Sequence, residues 1–347
     1  MLASVLRLLG ILVTLVAAIG AAVLTWPQFF RLEQTFPFAQ IVSLRGVVVT
    51  ACAVLAVVML LLCLIRPMRA FAASVLVIAV VTGVINGGIL FTRGTGESSL
   101  TTPGEEAIRV MTWNTAGAAT DASIIAKTAV AMQVDIVALP ETSIETGTEV
   151  AVLMREMGRP MWAHHEDFGD QAGYEEWDAN STSLLISPDL GDYAVVESES
   201  AGTSNTSQVP SVVAMPVDGE GPIVVAVHAV APRAAHMAAW RADLQWLADQ
   251  CAADDVIMAG DFNATVDHME RLGVDDATLG RCRDATTATG NGGVGTWSTE
   301  WPALLGAPID HVLATDAWTA TGSVVLDSLD GSGGDHRPVV VQFERAR

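Results

Sequence analysis

Six places in this 347-residue sequence end an apolar run on side chains able to do chemistry. Asn114 follows VMTW, Glu141 follows DIVALP, and His228 follows VVAV. Asp261 and Asn263 lie in VIMAGDFNAT, Asp310 and His311 in PIDHVLAT, and Asp335 and His336 in GSGGDHRPVVV. Carboxylate and amide oxygens suit a hard divalent cation. Imidazoles and carboxylates can move protons or steady a developing negative charge. Taken singly, each has an ordinary explanation, since a strand-end Asp or Asn commonly serves a turn or a cap. Together, each at the end of an apolar run, they read as one rim of strand ends.

The elements that must position them are legible as alternating runs. Strand-type segments fall at 108–113, 135–139, 182–186, 211–216, 222–227, 255–259, 309–314 and 338–343. Helical segments fall at 121–132, with Asp121 as cap, and at 145–157 and 234–252. Mixed elements over roughly 240 residues predict an α/β domain, 107–347, with covered sheet faces. The Gly-, Ser- and Thr-rich stretch 94–106 reads as a linker. GNGGVGT (290–296) lacks the Lys-Ser/Thr ending of a phosphate loop and reads as a surface loop before Trp297. His164 and His165 in AHHEDFGD read as an exposed polar loop. His236 and His268 read as helix-face and loop residues, and His311 as a support of the rim.

Composition divides the chain. Residues 1–93 hold six arginines and one acid, whereas residues 94–347 hold 12 basic and 38 acidic side chains, a net of −26. The first part carries three long apolar runs, at about 8–25, 47–65 and 70–91, each long enough to cross a bilayer as a helix. A multi-pass cell-membrane protein is therefore expected. The aromatic segment Trp26 to Phe38 suits the lipid–water interface. Basic residues divide three against three between the two sides. The dense turn Arg66-Pro67-Met68-Arg69 and the amino terminus favour an extracytoplasmic C-terminal domain. Cys52 and Cys63 belong with the second span. Cys251 and Cys282 are the two cysteines of the C-terminal domain, either a disulfide outside the cytosol or free thiols inside it.

Through GDFNAT and the terminal GGDHRPV, residues 107–345 resemble the endonuclease/exonuclease/phosphatase (DNase-I-like) superfamily. The resemblance implies a four-layer α/β sandwich: two packed mixed β-sheets flanked by helices, here preceded by three transmembrane helices. It also implies a Mg²⁺ (or Mn²⁺) cofactor held by Glu141 with Asn114 and Asp335. Asp261, steadied by Asn263, would orient or deprotonate water, and His336, paired with Asp310, would stabilise the transition state. His228 would assist the leaving group or bind the phosphate. One departure is Ala116, where some nuclease members carry a carboxylate. The three-span architecture further resembles actinobacterial teicoplanin-resistance-type membrane proteins.

Charge bears on the substrate. Nucleases without sequence specificity draw affinity from cationic side chains on phosphates, and a domain of net −26 with Lys127 as its one lysine repels a polyanion. The expected partners are the lipid bilayer and a lipid-linked or small phosphoester or pyrophosphate, ahead of nucleic acid. Two alternatives are a membrane-tethered nuclease and a non-catalytic binding module on the same fold.

Overall fold

The computed structural model describes residues 2–96, 99–104, 106–169, 180–196 and 205–346. Glu97, Ser98 and Glu105 of the expected linker lie outside them. The chain forms two compact units, Met1–Thr92 and Arg93–Arg347.

The first unit is helical: α1 (Leu2–Thr25), a short α2 (Phe38–Val42), α3 (Arg45–Leu62) and α4 (Arg69–Arg93). Windows at Leu8–Thr25, Arg45–Leu62 and Arg66–Arg93 have mean hydropathies of 2.5, 2.5 and 2.3, so three helices are long and apolar enough to span a membrane. Leu12, Val16, Val57, Leu61, Val77 and Val84 point outward, as a lipid solvent permits. Arg45 opens the second long helix. Its side chain is buried and donates to Asn86 Oδ1. Asn86 in turn donates to Thr25 Oγ1 (3.3 Å), so α1, α3 and α4 share a polar centre. Such centres form where no water competes and an unsatisfied group would cost several kcal/mol.

The second unit holds two six-stranded sheets. Sheet A runs β11 (Trp318–Val325), β12 (Val339–Arg345), β1 (Ile108–Thr112), β2 (Ile136–Pro140), β4 (Ser181–Ile186), β3 (Trp162–Asp167). Sheet B runs β5 (Tyr193–Val195), β6 (Val212–Pro216), β7 (Ile223–His228), β8 (Val256–Asp261), β10 (Asp310–Ala314), β9 (Arg283–Asp284). The alternation of side chains along each strand builds the layers. In β1, Val110 faces the inter-sheet core with Ile136, Leu184, Ile257 and Val312, while Met111 joins the next layer with Ile125, Val137 and Met154. Burying each such side chain is worth about 1.5–3 kcal/mol. Helices α5 (Ala122–Ala131) and α6 (Ile144–Glu156) cover sheet A, capped by Asp121 and Ser143. The longest helix of this unit, α7 (Met237–Gln250), buries Trp240, Leu244 and Leu247 on one face. Two single-turn helices, α8 (Val266–Met269) and α9 (Ala285–Ala288), complete the α-helices among the described residues. Two mixed sheets flanked by helices are the expected sandwich.

Three local expectations are corrected. His164 and His165 lie in the edge strand β3 and are half-buried, not in an exposed loop; polar residues suit a strand at the sheet margin. His268 is fully buried in α8, where its side chain forms a capping box with Thr265. Residues 291–296 are buried rather than at the surface. There a Cβ on Gly295 would lie 2.4 Å from the Gly306 carbonyl carbon, so glycine serves close backbone approach.

Candidate active site

The register of the two sheets gathers the six motifs. Parallel pairing of β7 with β8 sets His228 beside Asp261, and antiparallel pairing of β8 with β10 sets Asp310 on the other side of Asp261. In sheet A, β1 and β2 run parallel, so Asn114 and Glu141 emerge at the same edge. Antiparallel β12 begins at that edge, just after Asp335 and His336.

Backbone conformation aims these side chains. Ala116, Glu141 and Asn263 have φ of 49°, 56° and 46°, left-handed values that cost a non-glycine residue energy and cluster at functional sites. The Glu141 turn is held because its carbonyl accepts from Gly117 N (3.1 Å) and Thr115 Oγ1 (2.9 Å). Asn263 is held by its Nδ2 donating to Ala229 O (2.9 Å) and its carbonyl accepting from Trp240 Nε1 (3.0 Å).

The side chains then form one connected network. Asn114 Nδ2 donates to Glu141 Oε1 (3.0 Å) and Asp261 Oδ2 (3.1 Å). Asn263 gives Asp261 two more bonds, from its backbone N (2.8 Å) and Nδ2 (3.1 Å). His336 Nδ1 lies 2.8 Å from Asp310 Oδ2, and its Nε2 faces Asp261 Oδ2 at 3.9 Å and Asp335 Oδ1 at 4.0 Å. His228 Nε2 lies 3.6 Å from Glu141 Oε1, giving that histidine the acidic neighbour its sequence context did not reveal.

Electrostatics separates the roles. Burial works against charge on His336, but Asp310, by charge and hydrogen bond, with Asp261 and Asp335, outweighs it and lifts the imidazolium to about 10. His228 is pushed down to about 3 by burial and by His336, so its ring is neutral. Burial, then the charge of Asp310, raises Asp261 well above the usual carboxylate range. Glu141 is raised by burial as well, against the hydrogen bond from Asn114.

The donor set fits a divalent cation. Glu141, Asp261, Asp310 and Asp335 place four carboxylates around one imidazolium, and buried Asp310 Oδ1 has no hydrogen-bond partner among the described residues. That excess of hard oxygen suits Mg²⁺ or Mn²⁺, which need only one or two carboxylates alongside water. Glu141, with buried Asn114 and exposed Asp335, could hold it. When bound, such an ion lowers the pKa of water and offsets charge at phosphorus. Asp261, Asp310 and His336 also bring one ligand atom each to within 4.8 Å of the others. In that trio His336 Nδ1 is already engaged by Asp310 (2.8 Å), which leaves Nε2 facing Asp261.

Three supporting residues carried no signal of their own in the sequence. Trp113 Nε1 donates to His336 O (3.0 Å), and Trp297 Nε1 donates to Asp335 Oδ2 (2.9 Å). Asp284 pairs with His311 Nδ1 (2.6 Å), whose Nε2 meets Ala264 O (2.9 Å). With acceptors at both nitrogens, His311 is a buried imidazolium that braces β10 from behind. The tryptophans adjoin motif residues in WNTAG and GTWS, which was the available hint. Cys251 and Cys282 are joined by a disulfide, with Cα atoms 5.7 Å apart.

A two-sheet α/β sandwich with paired His–Asp and carboxylate–amide groups at one edge defines a phosphoester-hydrolase fold. The chain belongs to the endonuclease/exonuclease/phosphatase family, whose model matches residues 111–336. Members hydrolyse phosphoester bonds and typically use a divalent metal. The match leaves the spans outside it, so the narrower likeness of the three-span architecture rests on sequence alone. Comparison with curated proteins returned no match. Among solved structures, an endonuclease/exonuclease/phosphatase from Beutenbergia cavernae aligns with TM-score 0.54 and 19% identity, covering 70% of this chain and 72% of that one. The human nocturnin catalytic domain aligns with TM-score 0.51 and 15% identity, covering 72% and 97%. Humanized D. rerio TDP2 aligns with TM-score 0.51 and 16% identity, covering 69% and 100%. At these identities the likeness speaks for the fold.

Proposed function

We propose that the chain is a membrane-anchored, divalent-metal-dependent phosphoesterase acting on a phosphoester or pyrophosphate of a lipid-linked or envelope substrate. The observation that carries this reading is the single network joining Asn114, Glu141, Asp261 and Asn263, faced by the His336–Asp310 pair. Asp261, with its raised pKa, takes the proton of the attacking water while three hydrogen bonds hold its orientation. His336, kept protonated by Asp310, donates to a phosphoryl oxygen as charge builds there. Neutral His228 donates an N–H hydrogen bond to a further phosphoryl oxygen or to the leaving-group oxygen. Glu141, Asn114 and Asp335 hold the cation.

The net −26 of residues 94–347 favours a small or lipid-linked ester over a polyanion. The three apolar helices support anchoring, and with it a high local concentration of lipid head groups. The Cys251–Cys282 bond supports placing the domain on the oxidising, extracytoplasmic side.

The test is phosphate release from lipid phosphates, run beside plasmid nicking, by the full-length protein with Mg²⁺, Mn²⁺ or EDTA. Metal-dependent release, lost in Glu141→Ala and His336→Ala, is the expected result. Efficient nicking with lipid phosphates untouched overturns the substrate, and silence on every substrate overturns catalysis.

A further inference from the structure

The segment after the buried glycines presents three large apolar side chains to solvent beside the catalytic rim. Trp297, Trp301 and Leu304 are 41%, 49% and 48% exposed. Single exposed apolar residues are ordinary. Three within eight positions on a fixed scaffold next to catalytic groups are not.

The scaffold is fixed from below. Arg337, immediately after His336, is fully buried, and its guanidinium donates to the carbonyls of Gly295 (3.0 Å), Ser298 (3.3 Å) and Trp301 (2.6 Å). Its charge is met by Asp330 through two bonds of 2.7 Å. Thr299 is pinned to the strand-end segment, N to Asp335 O (3.0 Å) and Oγ1 to Gly334 O (3.2 Å). Gly295 N to Ala303 O (2.8 Å) closes the loop on itself. The apolar groups are thus displayed at a set distance from Asp335 and His336, and they are not exposed through slack in the chain.

From this we infer that Trp297, Trp301 and Leu304 form an apolar rim that seats the hydrocarbon part of a lipid phosphoester while its phosphate meets His336. The inference rests on the phosphoesterase reading above and names the part of the substrate that this rim selects. Charge identifies the occupant. Residues 291–309 contain no lysine or arginine and one acid, Glu300, so the rim offers phosphates of a nucleic-acid backbone no cation. An acyl chain asks only for apolar area, which two indoles and an isobutyl group provide. The same chain carries three helices apolar enough to span a bilayer, so lipid is the abundant apolar material within its reach.

The experiment compares selectivity, not activity. Full-length protein in phosphatidylcholine nanodiscs is given two matched pairs: glycerol 3-phosphate with dihexanoyl phosphatidic acid, and glycerophosphoethanolamine with its dihexanoyl form. The expected result is a kcat/KM ratio, acylated over deacylated, that falls at least about tenfold in the Trp301→Ser/Leu304→Ser variant. Trp301→Phe, which keeps an apolar ring, should restore most of that ratio. Because the ratio divides out any loss of folded enzyme, an unchanged ratio overturns the rim while leaving the phosphoesterase reading intact. Loss of single-stranded oligonucleotide cleavage with the lipid ratio unchanged overturns it in favour of base stacking. Wild-type turnover no greater than that of Glu141→Ala on all four compounds overturns the phosphoesterase reading and the rim with it.

Discussion

Sheet A and sheet B follow the same order of pairings, yet they load the rim with side chains of different exposure. Read from β11, sheet A goes β11-β12-β1-β2-β4-β3; read from β9, sheet B goes β9-β10-β8-β7-β6-β5. In each, the third and fourth strands are parallel and the neighbouring pairs are antiparallel. Sheet A supplies Glu141, with 21% of its side chain exposed, and β12 is preceded by Asp335 at 53% and by His336 at 7%. Sheet B supplies Asp261 at 2%, His228 at 4% and Asp310 at 0%. A cation and its waters need the open carboxylates of the first half. Displaced pKa values need dry surroundings, which Asp261 and His228 of the second half share with His336 of the first. Under the proposed roles, one plan used twice puts the open carboxylates in the first half and most of the buried titrating groups in the second, with His336 of the first half reaching across to Asp310.

The sharpest way to break this division is to change one carboxylate in each half. Glu141→Gln and Asp261→Asn should each lower kcat/KM by about a thousandfold or more. Only Glu141→Gln should raise the Mg²⁺ concentration giving half-maximal activity. An equal rise in Asp261→Asn would mean that both halves hold the metal.

The buried His311–Asp284 pair sharpens the same comparison through stability. Asp284→Asn leaves an uncompensated buried imidazolium and should cost about 3–5 kcal/mol. His311 is raised because Asp284, by charge and hydrogen bond, overcomes its burial; Asp284 is lowered because His311 does the same against its own. The raised His311 stabilises fully below its ordinary value of 6.5 and loses that contribution as pH rises through its folded value. The lowered Asp284 stabilises fully above its ordinary 3.8 and loses its contribution as pH falls through its depressed value. The Tm gap between wild type and Asp284→Asn should therefore be widest between pH 3.8 and 6.5 and narrow above.

Removing the disulfide is the next smaller effect. Cys251→Ser with Cys282→Ser opens a loop with a separation of 31 residues and should cost about 2–4 kcal/mol. Amide exchange should quicken in β8 and β10 and stay slow in β1 and β2. Uniform quickening would show that the two sheets unfold as one unit. Smallest is Trp297→Phe, which removes the bond to Asp335 and should weaken Mg²⁺ binding by about fivefold, close to 1 kcal/mol, with Tm unchanged.

The strand-end motifs were legible because each pairs an apolar run with an abrupt polar residue, and both halves of that signal are local. Glu141 and Asp261 could be placed on the rim without knowing which strands were neighbours. Edge strand β3 was not legible, since WAHHED lacks the apolar continuity of a covered strand. Trp113, Trp297 and Asp284 were missed for another reason: their partners lie 223, 38 and 27 residues away, and no local pattern reports a hydrogen bond at that range. The glycines of 290–296 misled because a glycine-rich stretch reads as a loop whether its backbone meets water or, as at Gly295, another backbone.

The place of β12 has a consequence for how the protein is made. It lies between β11 and β1, and His336 comes just before it, so neither sheet A nor the rim can close before residues 335–345 leave the ribosome. Helices α1, α3 and α4 are translated long before that point and can enter the bilayer while β1 still lacks its partner. On the proposed anchoring, a nascent chain would reach the bilayer before its catalytic rim could close. On the same proposal, a ribosome stalled before codon 335 would leave a fragment with its apolar helices but without the closed rim.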